Sequence, residues 1–534
     1  MKIKSIKINN FRSIKDVTIS GPLHDVWTLV GQNNAGKSSV MHAIRAFYGE
    51  YDIKLEDFCR KDRLNRPIEI DIEYILSDGE FSQLPEQYKL PDNLLRVVKR
   101  YNRDSLKGES HGFVIDKATS DIKESEDDFF GAKNVGVGKL GTVIYIPAIQ
   151  DLGEELKKTK SSLFSKLISR ILTETLTDLP SWNTLVKDTE TFAKDLKSPV
   201  KSNGEFRSIN EIEENLSMRL HGWGLKSQIS ISAPSPEDII LSGAKLRLIS
   251  TETGVEEDPM NLGSGAQRSV VNNLLLLWSE IESMKGKSDK KKFSGEMTLL
   301  LYEEPEALLH HDQECKLLKN LEALSETSNS QVIICTHSPN LISAKQESLK
   351  CISRFIKESD ISVKYSARES FLNDLNTNAT DFDFVLWLNP DRNIMFFVDR
   401  VILVEGSSDK AFLNYITKEN HLDKNSYIVD CGGKSNISYF MGLCEQFGIK
   451  HSVMYDRDSD RTPNQISWNA ALLNAKNKFT GEMKNFPVDL ETYIGFDKVA
   501  SSGRFKKPIE VLRQLKEGKL SSTHNAEFVK FLSN

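Results

Sequence analysis

Apolar and polar residues alternate through KIKSIKINNFRSIKD (2–16), as on a strand with one buried face. From residue 27 the pattern changes to short continuous apolar runs, each ending in glycine or acid and followed by helical spacing. WTLVG (27–31), MTLLLYEE (297–304), QVIIC (331–335), RVILVEG (400–406), NSYIVDCGG (425–433) and KHSVMYD (450–456) are such runs. Apolar strands alternating with helices predict an α/β chain with parallel sheets, whose sites form at the carboxyl ends of the strands. Between TVIYIPAI (142–149) and the strand-like DIILSGAKLRLIS (238–250), residues 152 to about 225 carry apolar positions three and four apart and read as a helical insertion. The charged, serine-rich zone 104–128 reads as an irregular connection, and KGKSDKKK (285–292) as an exposed loop.

The 534 residues suffice for ~3 or 4 domains. A net charge of −6 means that any nucleic-acid contact must rest on local basic patches. The six cysteines show no CxxC pairing and read as reduced cytosolic thiols. The opening segment lacks the apolar centre of a signal peptide, and NNLLLLW (272–278) is too short to span a bilayer, so the expectation is a cytoplasmic protein with no membrane partner.

WTLVGQNNAGKSSVMHAI holds G-x-x-x-x-G-K-S, with Gly31, Gly36, Lys37 and Ser38, between an apolar strand and a helical pattern. Its glycines let backbone N–H groups, including those around Asn33, Asn34 and Ser39, wrap phosphates at a helix N-terminus. Lys37 would reach the β- and γ-phosphates of ATP, and the Ser38 hydroxyl would bind Mg²⁺. A strand then delivers Glu303 and Glu304, the first for the Mg²⁺ shell and the second to orient or deprotonate water. The next strand delivers His337, placed to sense a γ-phosphate, although a histidine taken alone is more often structural. NLGSGAQRS (261–269) is a Gly/Ser turn opening a helix, whose amides at Ser264 and Gly265 suit a phosphate held by a second subunit.

VMYDRDSD (453–460) sets aspartates at alternate positions, as an EF-hand loop does. That loop needs Gly and Glu where Arg461 and Ser467 stand, so calcium is excluded. Glu405, Asp409, Asp456, Asp458, Asp489 and Glu491 all fall at or just beyond strand ends and should converge. Asp456 and Asp458 share a face while the strand lasts, the strand ends near Asp458, and Asp460 reads as a solvated loop acid. Oxygen donors suit Mg²⁺ or Mn²⁺, and no zinc-type His/Cys set is present.

KIKSIKINNFRSIKD, GQNNAGKSS, LGSGAQR, LLLYEEPEALLH and THSP together resemble ATP-binding-cassette (ABC) ATPases of the RecF/SMC type. The E-E-P-E form, where most cassettes carry Asp first, is similar to the OLD (overcoming lysogenization defect) family of ATP-dependent endonucleases. The E-G…D-x-D order resembles a Toprim domain. The resemblance implies an ABC-type P-loop ATPase with an inserted helical dimerisation region, then a Rossmann-like Toprim α/β domain. The expected bounds are 1–151 and 231–355 for the ATPase, 152–230 for the insertion, 356–398 for a linker and 399–534 for the nuclease. It further implies ATP sandwiched between two cassettes with segment 263–268 supplied in trans. Glu405, Asp409, Asp456 and Asp458 would be primary metal ligands, completed by Asp489 and Glu491. Two metals ~4 Å apart would serve phosphodiester cleavage. Lys507, with Lys506 close behind and Arg504 near, would neutralise transition-state charge, against the plainer reading of a basic surface helix. Gln150 or Asp151 would serve near the nucleotide. The implied partners are DNA, a homodimer or higher oligomer built from dimers, and in antiphage defence a helicase-like protein or a retron reverse transcriptase with its nucleic acid. The alternatives are an ATP-driven DNA clamp with an inactive acidic module, or a topoisomerase or primase.

Overall fold

A computed structural model describes residues 1–59, 66–116, 119–129, 140–148, 164–165, 167–169, 180–195, 201–202, 205–206, 209–228, 243–283, 293, 295, 297–326, 330–343, 346–378, 390–422, 426–458, 463–497 and 506–533. The chain falls into two compact units, residues 1–148 with 282–534, and residues 149–281.

Twelve strands form the larger sheet of the first unit: β1 Lys2–Phe11, β2 Ile14–Ser20, β3 Trp27–Gly31, β4 Ile68–Ile75, β5 Leu94–Tyr101, β6 Gly108–Ile115, β7 Ile122–Asp128, β8 Thr142–Ile146, β9 Thr298–Glu303, β10 Ser330–Cys335, β11 Ile352–Glu358 and β12 Ile361–Tyr365. Their order is β7-β6-β5-β4-β1-β2-β12-β11-β3-β10-β9-β8. Strands β8, β9, β10, β3 and β11 run parallel, and the β7-to-β2 half is antiparallel. Every residue of β3, β9 and β10 is buried, which explains their unbroken apolar runs. In β1 the buried isoleucines are Ile3, Ile6 and Ile8, a spacing that alternation alone does not give; a bulge between Ile3 and Ser5 absorbs the extra residue.

Helix α1 (Lys37–Phe47) follows β3 and buries Val40, Met41, Ile44 and Phe47 on one face. Its last carbonyls are satisfied from β5: Lys99 Nζ donates to Ala46 O at 3.2 Å and Phe47 O at 3.0 Å, and the Tyr101 hydroxyl to Ala46 O at 2.6 Å. Helix α2 (His311–Glu326) lies between β9 and β10 in the chain.

A second sheet holds four parallel strands, β13 Arg400–Val404, β14 Tyr427–Asp430, β15 Lys450–Asp456 and β16 Thr480–Phe486, in the order β14-β13-β15-β16. Val401, Leu403, Val429 and Val453 face helix α4 (Lys434–Gln446), which contributes Ile437, Phe440, Met441 and Cys444. Ile402, Val404, Ile428 and Met454 face α3 (Ser407–Glu419), α5 (Leu490–Ile494), α6 (Lys507–Lys516) and α7 (Ser522–Ser533). Strand alternation thus buries both faces. The α4 core also takes in Val30, Ile352, Met395 and Phe396, so the P-loop strand and the second sheet share one hydrophobic core.

Three segments differ from the sequence reading. Gly108–Ile115 and Ile122–Asp128 pair as the edge strands β6 and β7 rather than forming an irregular connection; charged side chains such as those of IKESEDD are what edge strands tolerate. The larger sheet continues through β12 to Tyr365, inside the expected linker. Among the described residues of DIILSGAKLRLIS, 243–250, only Leu248–Ile249 pairs, with Glu256–Glu257, and Ile249 is 68% exposed.

The second unit contains helices Pro180–Asp195, Ile209–Leu220 and Ser264–Ser283. Much of the expected helical insertion, and Gln150, Asp151, Asp460, Arg504 and the 285–292 lysine loop, lie outside the described residues. Among the described residues no helix is long and apolar enough to cross a membrane.

Candidate active sites

At the nucleotide loop, Gly31 has φ +133°, and a Cβ there would stand 2.1 Å from Phe355 O; Gly36 has φ +106°. Both glycines are required by backbone conformation and by close approach of β11 and β12. Asn34 is also left-handed, at φ 62°. Asn33, Asn34, Gly36, Lys37, Ser38 and Ser39 line a cavity of about 710 Å³ together with Glu303, Glu304 and His337. Lys37 Nζ donates to Gly31 O at 2.9 Å and Gln32 O at 2.8 Å, which fixes the ammonium inside the loop; burial lowers its pKa.

Glu303 ends β9, buried, and accepts from the Tyr145 hydroxyl at 3.1 Å. Glu304 sits at φ 41°, held there by its N–H donating to Cys335 O at 2.7 Å, a strained backbone for a non-glycine residue. Its carboxylate lies 3.9 Å from His337 Nε2. Burial and the charge of Lys37 lower the His337 pKa, so its ring is neutral at neutral pH. The His337 N–H donates to Glu306 at 2.6 Å, and burial raises the Glu306 pKa. Sequence reading passed over Glu306, Tyr145 and Arg12. Arg12 lines the same cavity, bonded to Asp57 at 2.8 Å and Tyr51 at 2.9 Å. The third acid of E-E-P-E and the arginine of NNFRS were the available signals.

Ser264 and Gly265 open the helix Ser264–Ser283, with Ser264 exposed. The turn before them is tied down by the Gln267 side-chain amide, which donates to Met260 O and Leu262 O, both at 3.1 Å.

The acidic residues meet at the carboxyl ends of β13 and β15. Glu405 follows β13, and its Oε1 accepts from the Asp456 N–H at 2.8 Å. Asp409, in the first turn of α3, accepts from the Gly406 N–H at 3.1 Å. Asp456 Oδ1 accepts from the Leu490 N–H at 3.0 Å, which joins β15 to the start of α5. Buried Glu491 lies 2.7 Å from Lys507 Nζ.

Burial, then the Asp456 charge, pushes Glu405 up to about 7. Burial raises Asp409 as well, reinforced by Glu405 and Glu491, and it raises Asp456, reinforced by Asp409 and Glu491. Burial pulls Lys507 down, but Glu491, Asp409 and Asp456 more than offset it, so the ammonium is held above its usual value. Glu405, Asp409, Asp456, Glu491 and Lys507 are therefore one electrostatic group, and the Asp458 charge also reaches Glu405 and Asp456.

Two further expected members are helix-capping residues. Asp489 is the N-cap of α5, its Oδ1 accepting from the Thr492 N–H at 2.8 Å and from the Thr492 hydroxyl. Lys506 is the exposed N-cap residue of α6. Asp458 differs in another way. Strand β15 ends at Asp456 rather than near Asp458, because Asp458 takes φ 49° and its N–H turns to Val488 O at 3.2 Å. Asp456 and Asp458 consequently do not share a strand face. Asp458 instead meets Lys434 Nζ at 3.2 Å, a residue that sequence reading did not single out.

A donor set of crowded, mutually repelling carboxylates fits a hard divalent cation, which would relieve the repulsion. Among the described residues no three His, Cys, Asp or Glu side chains already surround one point.

The chain matches the AAA ATPase domain family over residues 1–217 and 102–342, and the overcoming lysogenization defect protein-like TOPRIM domain over residues 396–458. The Old nuclease of Escherichia phage P2 is 26% identical over 487 residues, 86% of this chain and 77% of that protein. The OLD nuclease of Thermus scotoductus is 23% identical, covering 85% and 82%. Endonuclease GajA of Bacillus cereus VD045 is 24% identical, covering 86% and 75%. Fold and matches define an enzyme in which an ATPase is joined to a Toprim nuclease module. The chain belongs to the OLD family of nucleases.

Proposed function

We propose that this protein is an ATP-regulated, divalent-metal-dependent DNA endonuclease or nickase of antiphage defence. The observation that carries the reading is the single electrostatic group of Glu405, Asp409, Asp456, Glu491 and Lys507, set at parallel strand ends in the same compact unit as the P-loop cavity. Glu405, Asp409 and Asp456, with Glu491 beside them, hold Mg²⁺ or Mn²⁺. Bound there, the metal supplies positive charge for water activation and for the leaving oxygen of a phosphodiester. Lys507 adds a fixed positive charge next to the acids. Asp489 serves by capping α5.

In the ATPase, Lys37 and the loop amides bind the ATP phosphates, Ser38 and Glu303 hold its Mg²⁺, Glu304 orients water and neutral His337 stands by the γ-phosphate. Two chains pair as a homodimer, the Ser264–Gly265 turn of one capping the nucleotide of the other.

The test is plasmid cleavage with Mg²⁺ or Mn²⁺, with and without ATP, for wild type, Lys37→Ala and Asp456→Ala. Asp456→Ala should abolish cleavage, and Lys37→Ala should change its ATP dependence. Absence of metal-dependent cleavage under every nucleotide condition would overturn the reading in favour of an ATP-driven clamp.

A further inference from the structure

Lys434 is the first residue of α4, immediately after the left-handed Gly432 and Gly433, and its side chain is 3% exposed. Its ammonium lies 3.2 Å from Asp458 Oδ2 and also donates to the backbone carbonyl of Asp456. It therefore grips the D-x-D turn twice, through the carbonyl of the first aspartate and the carboxylate of the second. A buried lysine is retained only where its charge is answered, and here the answer comes from this turn.

The helix that carries Lys434 is fixed at both ends. At its far end the buried guanidinium of Arg354 donates to Phe447 O at 3.0 Å and Gly448 O at 3.2 Å. Between the ends, Ile437, Phe440, Met441 and Cys444 are fully buried. Lys434 is thus held on a rigid element, and the left-handed Asp458 beside it is held by Lys434.

On the nuclease reading above, we propose that Lys434 is a positioning residue of the acidic site: it locks the Asp456–Asp458 turn so that the Asp456 carboxylate stays among Glu405, Asp409 and Glu491. It acts through that turn rather than on substrate. Asp458 is its anchor, which explains why the second aspartate of the motif is turned out of the strand.

The test uses the full chain. Mn²⁺ binding is read by electron paramagnetic resonance and calorimetry without DNA, and plasmid cleavage is titrated with Mn²⁺; ATP binding reports that each variant is folded. Lys434→Met should weaken Mn²⁺ binding and raise the Mn²⁺ needed for half-maximal cleavage by about 10- to 100-fold, the range for residues that orient metal ligands. Because Lys434 works through Asp458, the Lys434→Met/Asp458→Asn double variant should lose little more than the worse single variant. Lys434→Arg, which keeps the charge, should recover part of the loss, and it carries the test if the Met variant does not fold. Unchanged Mn²⁺ affinity in Lys434→Met, losses that multiply in the double variant, or no recovery with Arg would each overturn the proposal. Wild type that neither binds Mn²⁺ nor cleaves would overturn the nuclease reading itself, a result separable from any of these.

Discussion

Arg354, on the strand beside the nucleotide loop, donates through Nη1 to the carbonyl of Phe447 at 3.0 Å, just past the end of α4 in the nuclease module. The same guanidinium reaches Phe396 O at 3.0 Å and Val398 O at 2.7 Å. Burial pulls its pKa down to about 10, still far above neutrality, so a charged group is held almost wholly by backbone carbonyls. Arg354→Met would leave those carbonyls buried without their donor. The expected cost is about 3 kcal/mol of stability, with ATPase and nuclease modules no longer unfolding together. Urea unfolding followed by circular dichroism, with ATP binding as a second probe, measures both; coincident unfolding at wild-type stability would refute it.

Gly31 and Phe355 are the neighbouring contact. At φ +133°, and with Phe355 O only 2.1 Å from where an added methyl group would sit, Gly31→Ala must displace either the P-loop or β11. The expected outcome is loss of ATP binding together with a fall in melting temperature, measured by nucleotide fluorescence and calorimetry. Gly263→Ala, where an added Cβ meets nothing within 4 Å, should leave the melting temperature near that of wild type.

Lys507 and Glu491 form a charged pair in which the carboxylate is 5% exposed. Lys507→Met removes the cation from the acidic group and leaves Glu491 unanswered. Cleavage at saturating metal should fall by about 100-fold, as for loss of one fixed charge at a reacting centre. Single-turnover cleavage assays measure it, and a rate within about twofold of wild type would contradict the role.

His42, on α1, titrates in an unusual range: burial, then the charges of Arg12 and Arg45, lower its pKa to about 4, with Asp57 opposing. Arg45 Nη1 lies 3.3 Å from its Nδ1, and the rings of Tyr51 and Tyr145 pack beside it. The folded chain keeps His42 neutral between pH 6.5 and 4, where the unfolded chain protonates it. Its contribution is therefore full above about pH 6.5 and declines as pH falls through that window. His42→Gln should flatten the acid side of the stability curve, which melting temperatures from about pH 7 to pH 5 will show. Parallel curves for the two proteins would contradict this.

Much of the molecule was legible because local chemistry left few choices. Unbroken apolar runs at β3, β9, β10 and β13 read as buried parallel strands, and G-x-x-x-x-G-K-S followed by a helical pattern, with its acidic partners in order, read as a phosphate loop. The order of Glu303, Glu304 and His337 likewise followed from strand ends, since each strand delivers its last side chain to the same edge. Where a residue's setting depended on distant chain, the sequence was silent or misleading. The charged strand pair β6–β7 looked irregular because an edge strand needs no apolar face. Asp458 looked equivalent to Asp456 until its left-handed backbone and its N–H bond to Val488 O took it out of the strand. Nothing adjacent to Lys434 or Arg354 marks them, because their partners lie 24 and 93 residues away. The sequence by itself determined the phosphate loop, the buried parallel strands and the acids at their ends. Tertiary structure alone decided which acids act as one charged group and which cations hold them, since electrostatic coupling depends on distance and burial rather than on position along the chain.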